Sequence, residues 1–449
     1  MIPALRPAVA IRVLAAALLA GAVLAEARGS AGAGSAIQPN NRPTPVAGQT
    51  NGQMDASQLV NVAPHCAAYR AAGPSLGLVL AEARQQGVPL ATSQCYRPLA
   101  DQVAVQQSWT SAGNSACAAP VVTTPSGQKG GTSMHGWGKA ADFSDSGHGY
   151  AFGSSLDRWL RANANQAGWN HPGWADPGGS ACPEVWHWEW LGDGGTLGGL
   201  PIRADVVGVV PSADDSGYLS VGGLGGVVAR GDAVDRGSAA GVPINWLIVS
   251  AAGTPDRGGY WEVGSDGGIF SFGDAAFLGS TGSIRLNQPI VGMAPTSSGN
   301  GYWLVASDGG VFSFGDAGFF GSTGGLRLNR PIVGMAPTPS GQGYWLVASD
   351  GGIFSFGDAV FRGSTGAIAL NRPVVAMVPT APGGGYWLVA SDGGVFNFGD
   401  AAFLGSAGAQ PPALPVTAAA RTRHGGGYWL AVADGTILPF GDAKGFGAA

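Results

Sequence analysis

Between Ser133 and His187 the chain holds two short segments whose residue types could make a hydrolytic metal centre. Ser133-Met-His135-Gly-Trp-Gly138-Lys-Ala140-Ala-Asp142 offers one imidazole and one carboxylate seven residues apart. Glu184-Val-Trp-His187-Trp-Glu189 offers a second imidazole, with a glutamate three residues before it. Two neutral imidazoles and one carboxylate leave a zinc ion with net positive charge and an open position, where a bound water falls to a pKa of about 7 and becomes a nucleophile. A neighbouring carboxylate can then take its proton. Glu189 has two readings, orienting a ligand histidine from outside or lying beside the cleft.

A third segment precedes these two. Ser93-Gln-Cys-Tyr96-Arg97-Pro98, with Gln102 beyond it, followed by Ser-x-His-x-x-Gly-x-Ala-x-Asp and by Glu-x-x-His in a Trp-rich setting, resembles the VanY-type D-alanyl-D-alanine carboxypeptidases of the Hedgehog/D,D-peptidase superfamily. Any one motif alone is weak; three in order at compatible spacing are specific. The resemblance implies that His135, Asp142 and His187 bind zinc, that Glu184 is the general base and acid, and that Arg97, Ser133 and Gln102 hold the substrate. Arg97 also has a physical case of its own, because a carboxypeptidase must recognise a terminal carboxylate and a guanidinium does so with a bidentate fork. The implied substrate is a peptidoglycan stem peptide ending in D-alanine. Endopeptidases cutting L-alanyl-D-glutamate or cross-bridges belong to the same superfamily. A wall-binding or adhesion protein with a catalytically silent first domain is the reading from a different class. Since both imidazoles must be neutral to bind, metal occupancy is expected to fall as pH drops through about 6.5.

The context fits an exported enzyme. Arg6 and Arg12 precede an apolar run, Val13 to Ala25, and Ala25-Glu-Ala27 offers a small-x-small cleavage site, so residues 1–27 read as a signal peptide. Thirteen apolar residues fall short of the roughly 20 a membrane-spanning helix needs, so no stable span is expected. Cys66, Cys95, Cys117 and Cys182 are an even set in an exported chain and predict two disulfides, with three pairings open. Net charge is −5, and without Met1 to Ala27 it is −6, from 21 basic against 27 acidic residues. Nothing in that balance points to nucleic acid.

The elements that must position the site follow from pattern. Residues 28–55 are Gly, Ala, Asn, Pro, Thr and Gln with few large apolar side chains and read as a flexible linker. Residues 56–195 read as an α+β zinc peptidase domain. A helix capped by Ser75 and stopped by Gly87 precedes a strand over Val88 to Tyr96, which sets Arg97 at a strand end. A second helix spans Ser154 to Ala167 before Gly168. Val185 to Trp190 alternates, with His187 and Glu189 on one face and Trp186, Trp188 and Trp190 on the other. His65, His148 and His171 read as ordinary loop or core residues, the last two flanking the cleft at most.

Gly192 to Gly199 reads as a hinge and residues 196–204 as a linker, which would make the two halves separable. From Asp205 to Ala449 the chain repeats every 42 residues: Trp261, Trp303, Trp345, Trp387 and Trp429 keep step, as do Tyr218, Tyr260, Tyr302, Tyr344, Tyr386 and Tyr428. Each unit shows four strand-like pieces, typified by Ile332-Val-Gly-Met-Ala, Tyr344-Trp-Leu-Val-Ala, Ile353-Phe-Ser-Phe and Val360-Phe-Arg-Gly. Ser-Asp-Gly-Gly between the second and third predicts a tight hairpin. Six units predict an all-β domain, a six-bladed β-propeller, with an open stacked array as the alternative. Trp and Phe positions are expected between blades, and the recurring Asp274, Asp316, Asp358 and Asp400 read as turn residues before metal ligands. Lacking an acid/base set, this half reads as a binding or scaffolding module for a wall polymer or protein ligand.

Overall fold

The computed structural model describes residues 45–114, 117, 119–123, 129–145, 150–179, 182–191, 206–242 and 244–447. The signal segment, the Gly192 to Gly199 hinge and His148 lie outside them. Two short strands, β1 (Leu59–Ala63) and β2 (Cys66–Tyr69), pair antiparallel ahead of helix α1 (Gly73–Gln85). The helix starts two residues before Ser75 because Pro74 fits the first turn, where its missing N–H is not needed; Ser75 Oγ donates back to Ala72 O at 3.0 Å. Gly87, at φ 68°, ends it as expected.

Strand β3 (Ala91–Gln94) and helix α2 (Leu99–Ser111) come next, then β4 (Val121–Thr123), β5 (Lys129–Gly131), β6 (Ala140–Ser144), helix α3 (Ser155–Asn163), β7 (Trp169–Asn170) and β8 (His187–Trp190). Ser154 caps α3 by accepting from Asp157 N at 3.2 Å. Helix α2 was not legible in the sequence, because Leu99-Ala-Asp-Gln-Val-Ala-Val-Gln-Gln-Ser-Trp-Thr-Ser carries no apolar stripe; Gln102 is its one buried residue among those described. The sheet order β3-β6-β8-β7 is antiparallel throughout, and Trp169, Trp188, Phe143, Leu156, Leu160 and Leu76 close the core over it. Cys66–Cys95 and Cys117–Cys182 are the two disulfides.

The α+β domain begins earlier than expected. Instead of a linker running to residue 55, Asn51 and Gly52 are buried, and Gly52 N donates to Gly136 O while Leu99 N donates to Gly52 O, both at 2.8 Å. Short polar residues with few apolar neighbours give no packing signal in sequence; here hydrogen bonds hold them.

The repeats form six three-stranded antiparallel sheets, one per unit, each a meander such as Ile332–Pro337, Gly343–Ala348 and Ile353–Gly357. The middle strand is buried along its whole length in every unit from the second to the sixth. The ring closes. Trp261, Trp303, Trp345 and Trp387 each set a ring 5.5–5.8 Å from the tyrosine of the following unit. Trp429 of the last unit meets Tyr218 of the first at 5.9 Å. Tyr218 Oη donates to Gly447 O at 2.7 Å, and Thr417 Oγ1 donates to Val206 O across the same seam. Leu219 stands where the first unit would carry its Trp, against Tyr260.

Among the described residues the expected fourth strand is absent. The connector after the third strand satisfies its backbone through side chains instead: Trp345 Nε1 donates to Val360 O at 3.0 Å, and Tyr386 Oη accepts from Arg362 N and donates to Gly363 O. A ladder partner is therefore not required. Gly321, at φ 136°, lies where a Cβ would come within 2.4 Å of Phe356 of the next unit, so only glycine fits. Not every repeated Phe is interior: Phe277, Phe319, Phe361 and Phe403 are 57–62% exposed. The recurring aspartates are turn locks, as Thr338 Oγ1 donates to Asp358 Oδ1 and Thr380 Oγ1 to Asp400 Oδ1, each at 2.8 Å.

The α+β domain is docked on the ring, and the described residues belong to one compact unit. Val60 joins Ile244, Leu247 and Ile248 in one cluster, Leu78 of α1 packs on the last two blades, and Asn61 N donates to Asn245 O at 2.8 Å. Arg330 reaches Gln86 O at 3.2 Å, and Arg372 pairs with Glu82 at 3.3 Å. Gly77 in mid-helix makes the approach possible, since a Cβ there would lie 2.6 Å from Leu247.

Two outcomes follow from this architecture. Cutting the chain after Gly195 exposes Val60 and Leu78, so the isolated α+β domain should melt well below the full chain or precipitate; equal melting temperatures would show the contact to be idle. Glu262 occupies the place held by Leu304, Leu346, Leu388 and Leu430, is fully buried, and makes no hydrogen bond of normal geometry. Burial, with Asp235 nearby and the Ala239 N–H only partly opposing, pushes its carboxyl from 4.5 up to about 8. The folded protein thus holds that proton more tightly than the unfolded chain, so stability is full below pH 4.5 and falls as pH rises to about 8, by up to about 1.4 kcal/mol per pH unit. Glu262→Leu should raise the melting temperature, more at pH 8.5 than at pH 5; thermal scans showing the same gain at both would count against the buried carboxyl as the cause.

Candidate active site

The site is built on the pairing of β6 with β8, whose register sets Asp142 opposite His187. Directly opposed residues project from one face. His135 arrives from the short 3-10 turn Met134–Trp137 leading into β6; Ser133 caps that turn, its Oγ accepting from His135 N at 3.3 Å, and Gly138 leaves it in the left-handed region. His135 Nε2 and His187 Nδ1 lie 3.0 and 3.1 Å from Asp142 Oδ1 and 3.1 Å from each other. All three residues are buried.

Outer partners decide which ring atoms carry protons. The Cys95 carbonyl can only accept, so His135 Nδ1 donates to it at 2.7 Å and Nε2 keeps its lone pair. His187 Nε2 donates to Glu189 Oε1 at 3.3 Å, which leaves Nδ1 facing inward. Of the two readings of Glu189, the geometry is that of an orienting partner. Two imidazole lone pairs and one carboxylate oxygen thus face a single point. Tetrahedral zinc with ligands at about 2.0–2.1 Å holds its donors about 3.3 Å apart, near the separations found here. Buried lone pairs pressed together repel unless a cation or a proton sits among them. The donor set fits a divalent cation.

The electrostatics agree. Burial pushes His135 down despite the pull of Asp142. Burial would raise Asp142, but the two imidazoles hold it well below the usual carboxylate range. Burial also works against charge on His187, yet its hydrogen bonds to Asp142 and Glu189 push it up to about 10. A proton on His187 and a cation at the same point therefore compete.

Glu184 stands beside the three donors, Oε2 lying 4.0 Å from His187 Nδ1. Its backbone is pinned at both ends: Glu184 N donates to Ala175 O at 2.9 Å, and the buried His171 donates from Nε2 to Glu184 O at 2.9 Å. Burial and the charge of Asp142 raise its carboxyl, against His187 and Arg97. Arg97 follows β3, with its guanidinium 3.7 Å from Asp142 Oδ2. Its Nε and one terminal nitrogen both donate to Gln94 Oε1, so Gln94 aims the fork; sequence reasoning missed Gln94, whose one signal was its offset of three from Arg97. Gln102 lies behind Arg97 and not on the cleft wall, 3% exposed, its Nε2 donating to Arg97 O and to Asn51 Oδ1, each at 3.1 Å. Trp174 lies against His187 at 5.0 Å, and Tyr96 Oη accepts from Met54 N at 3.1 Å.

Residues 70–193 match the VanY family, described as D-alanyl-D-alanine carboxypeptidase. The match covers the sheet, the three donors, Glu184 and Arg97, under a third of the chain. No curated protein sequence matches the chain. Among solved structures the chain is similar to a structural-genomics protein of unknown function from Bacteroides thetaiotaomicron VPI-5482, at 14% identity over 53% of this chain and 69% of that one, with a TM-score of 0.37. It is also similar to the Cps50 (Swd1) β-propeller domain of Myceliophteria thermophila, at 11% identity over 53% of this chain and 83% of that one, with a TM-score of 0.36. Likenesses of that size carry no argument; the closed ring rests on the seam between Trp429 and Tyr218.

Because His187 must give up its proton to offer Nδ1, cation affinity should climb about tenfold per pH unit above neutrality and level off near pH 10, not break at 6.5. Competition with a chelator across pH 6–10 measures this slope. One ion per chain is expected, and none in His135→Ala.

Proposed function

We propose that this protein is an exported zinc D,D-carboxypeptidase that removes the terminal D-alanine from peptidoglycan stem peptides, carried on a propeller that serves as its scaffold. The observation that supports it most is the convergence of His135, Asp142 and His187 on one point, with Glu184 and Arg97 on its border, inside a segment that matches the VanY family. The two disulfides suit an oxidising compartment. Among the described residues no helix is long and apolar enough to cross a membrane.

His135 Nε2, His187 Nδ1 and Asp142 Oδ1 would hold the zinc, which when bound would supply Lewis acidity to the scissile carbonyl and acidity to a water. The chain's own residues do the rest. Glu184, its carboxyl raised by burial, accepts the proton of the attacking water and passes it to the leaving amine nitrogen. Arg97, steadied by Gln94, forks the terminal carboxylate, with the Ser133 hydroxyl beside it and Gln102 holding Arg97 from behind. Glu189 keeps His187 turned, and His171 keeps the Glu184 peptide in place. The docked helix α1 and the wide ring make the repeats a platform, with exposed surface left over for a wall polymer or protein.

Glu184→Gln keeps size and hydrogen bonding but cannot accept a proton, so it should retain the cation and lose about 10²-fold to 10⁴-fold in kcat. Arg97→Lys keeps charge without the fork and should impair turnover of free-acid peptides while sparing C-terminally amidated ones. Mass spectrometry of the released product reads both. Equal cleavage of free-acid and amidated peptides by the unaltered protein would replace this reading with an endopeptidase.

A further inference from the structure

We propose that Asn51, nineteen residues ahead of the segment that matches VanY, is the positioning residue that sets the geometry of the substrate-carboxylate pocket. The inference rests on the carboxypeptidase reading. Asn51 is 5% exposed, and its side chain is used at both ends: Nδ2 donates to Ser133 O at 2.8 Å, and Oδ1 accepts from Gln102 Nε2 at 3.1 Å. Gln102 in turn donates to Arg97 O at 3.1 Å. The two groups assigned to the substrate carboxylate, Arg97 and Ser133, come from different loops. One buried pair of amides joins them.

The surroundings are shaped for that pair. A Cβ at Gly136 would lie 1.9 Å from Asn51 Oδ1, one at Gly131 would lie 1.8 Å from Gln102 Oε1, and one at Gly52 would lie 2.6 Å from Gln102 Nε2. Three glycines on three segments thus leave room for two amides and little more. The backbone repeats the tie: Gly131 N donates to Asn51 O at 3.2 Å and Gly52 N to Gly136 O at 2.8 Å. Neither amide touches the three metal-facing atoms. Loosening the clamp should therefore move the anchor relative to the base while leaving the cation site intact.

The test uses the full chain with Asn51→Ala and Asn51→Asp, the latter isosteric and keeping the acceptor for Gln102 while replacing the donor to Ser133 O by a second oxygen. Expected is a rise of about tenfold in KM for a free-acid peptide, the scale of one lost buried hydrogen bond, with kcat much less altered, little change on the amidated peptide, and cation stoichiometry still at one. The preference for free acid over amide should shrink accordingly. Equal losses on both peptides, an Asn51→Asp variant indistinguishable from the unaltered protein, or misfolding of both variants would each overturn the proposal, the last by making Asn51 a folding residue. An unaltered protein with no free-acid preference sinks the carboxypeptidase reading instead, so the two failures are told apart.

Discussion

Three buried lone pairs aimed at one point are costly, and much of the α+β domain can be read as the arrangement that keeps them there. Left alone, His135 Nε2, His187 Nδ1 and Asp142 Oδ1 would turn away from one another or bind a proton. They are held by what lies outside: the Cys95 carbonyl fixes one imidazole, Glu189 the other, and the β6–β8 register fixes the distance between His187 and Asp142. The Cys66–Cys95 bridge fixes the residue just after β3, whose carbonyl accepts from His135, so the disulfide bears on a metal-facing histidine through one hydrogen bond. A change of one residue in register would send Asp142 to the opposite face and remove the site altogether.

The ring carries its own constraint. Each blade has only three strands, so the connector that would have been a fourth depends on a Trp from its own blade and a Tyr from the next. Every junction after the first is thus both a hydrophobic contact and a pair of hydrogen bonds, and a broken ring would leave one connector unsatisfied. That argues for closure over an open array, and the seam from Trp429 and Gly447 to Tyr218 supplies it. Glu262 is the exception, a carboxylate where blades three to six place leucine and the first places Ser220, at the junction whose earlier blade lacks its Trp.

What the sequence disclosed, and what it hid, divides along physical lines. The motifs whose side chains converge here, His135, Asp142, His187, Glu184 and Arg97, were readable because hydrolytic chemistry calls for particular side chains at nearly fixed offsets. The period of 42 residues was readable because aromatic core positions cannot drift. The fourth strand was misread because Val360-Phe-Arg-Gly has strand composition, whereas its backbone is satisfied by side chains from elsewhere, information no local window contains. Helix α2 escaped because its single inward residue, Gln102, is polar. Asn51 escaped for the same reason: it is held by amide hydrogen bonds and glycine cradles, with no hydrophobic pattern to announce burial. The docking of α1 was hidden too, since Gly77 reads as a weak helix residue until Leu247 is seen against it.

The division of charge around Asp142 sets two neighbouring carboxylates apart, as the proposed pairing of a metal ligand with a general base requires. Oδ1 of Asp142 faces the two imidazoles, while Oδ2 faces Arg97 at 3.7 Å. The two imidazoles hold Asp142 well below the usual carboxylate range, with the Arg97 guanidinium on its other side. Glu184 has no such enclosure; at 4.0 Å from His187 Nδ1 and with Asp142 as a negative neighbour, burial wins and its affinity for a proton rises. Two carboxylates a few ångströms apart are thereby pushed in opposite directions, one toward permanent charge and the other toward proton exchange. The same guanidinium that steadies Asp142 is the group assigned to the substrate carboxylate. An arriving anion would therefore share Arg97 with Asp142, which couples the grip on the substrate to the charge of the metal-facing cluster and makes the placement of Arg97, through Gln94, Gln102 and Asn51, a matter of chemistry as well as of fit.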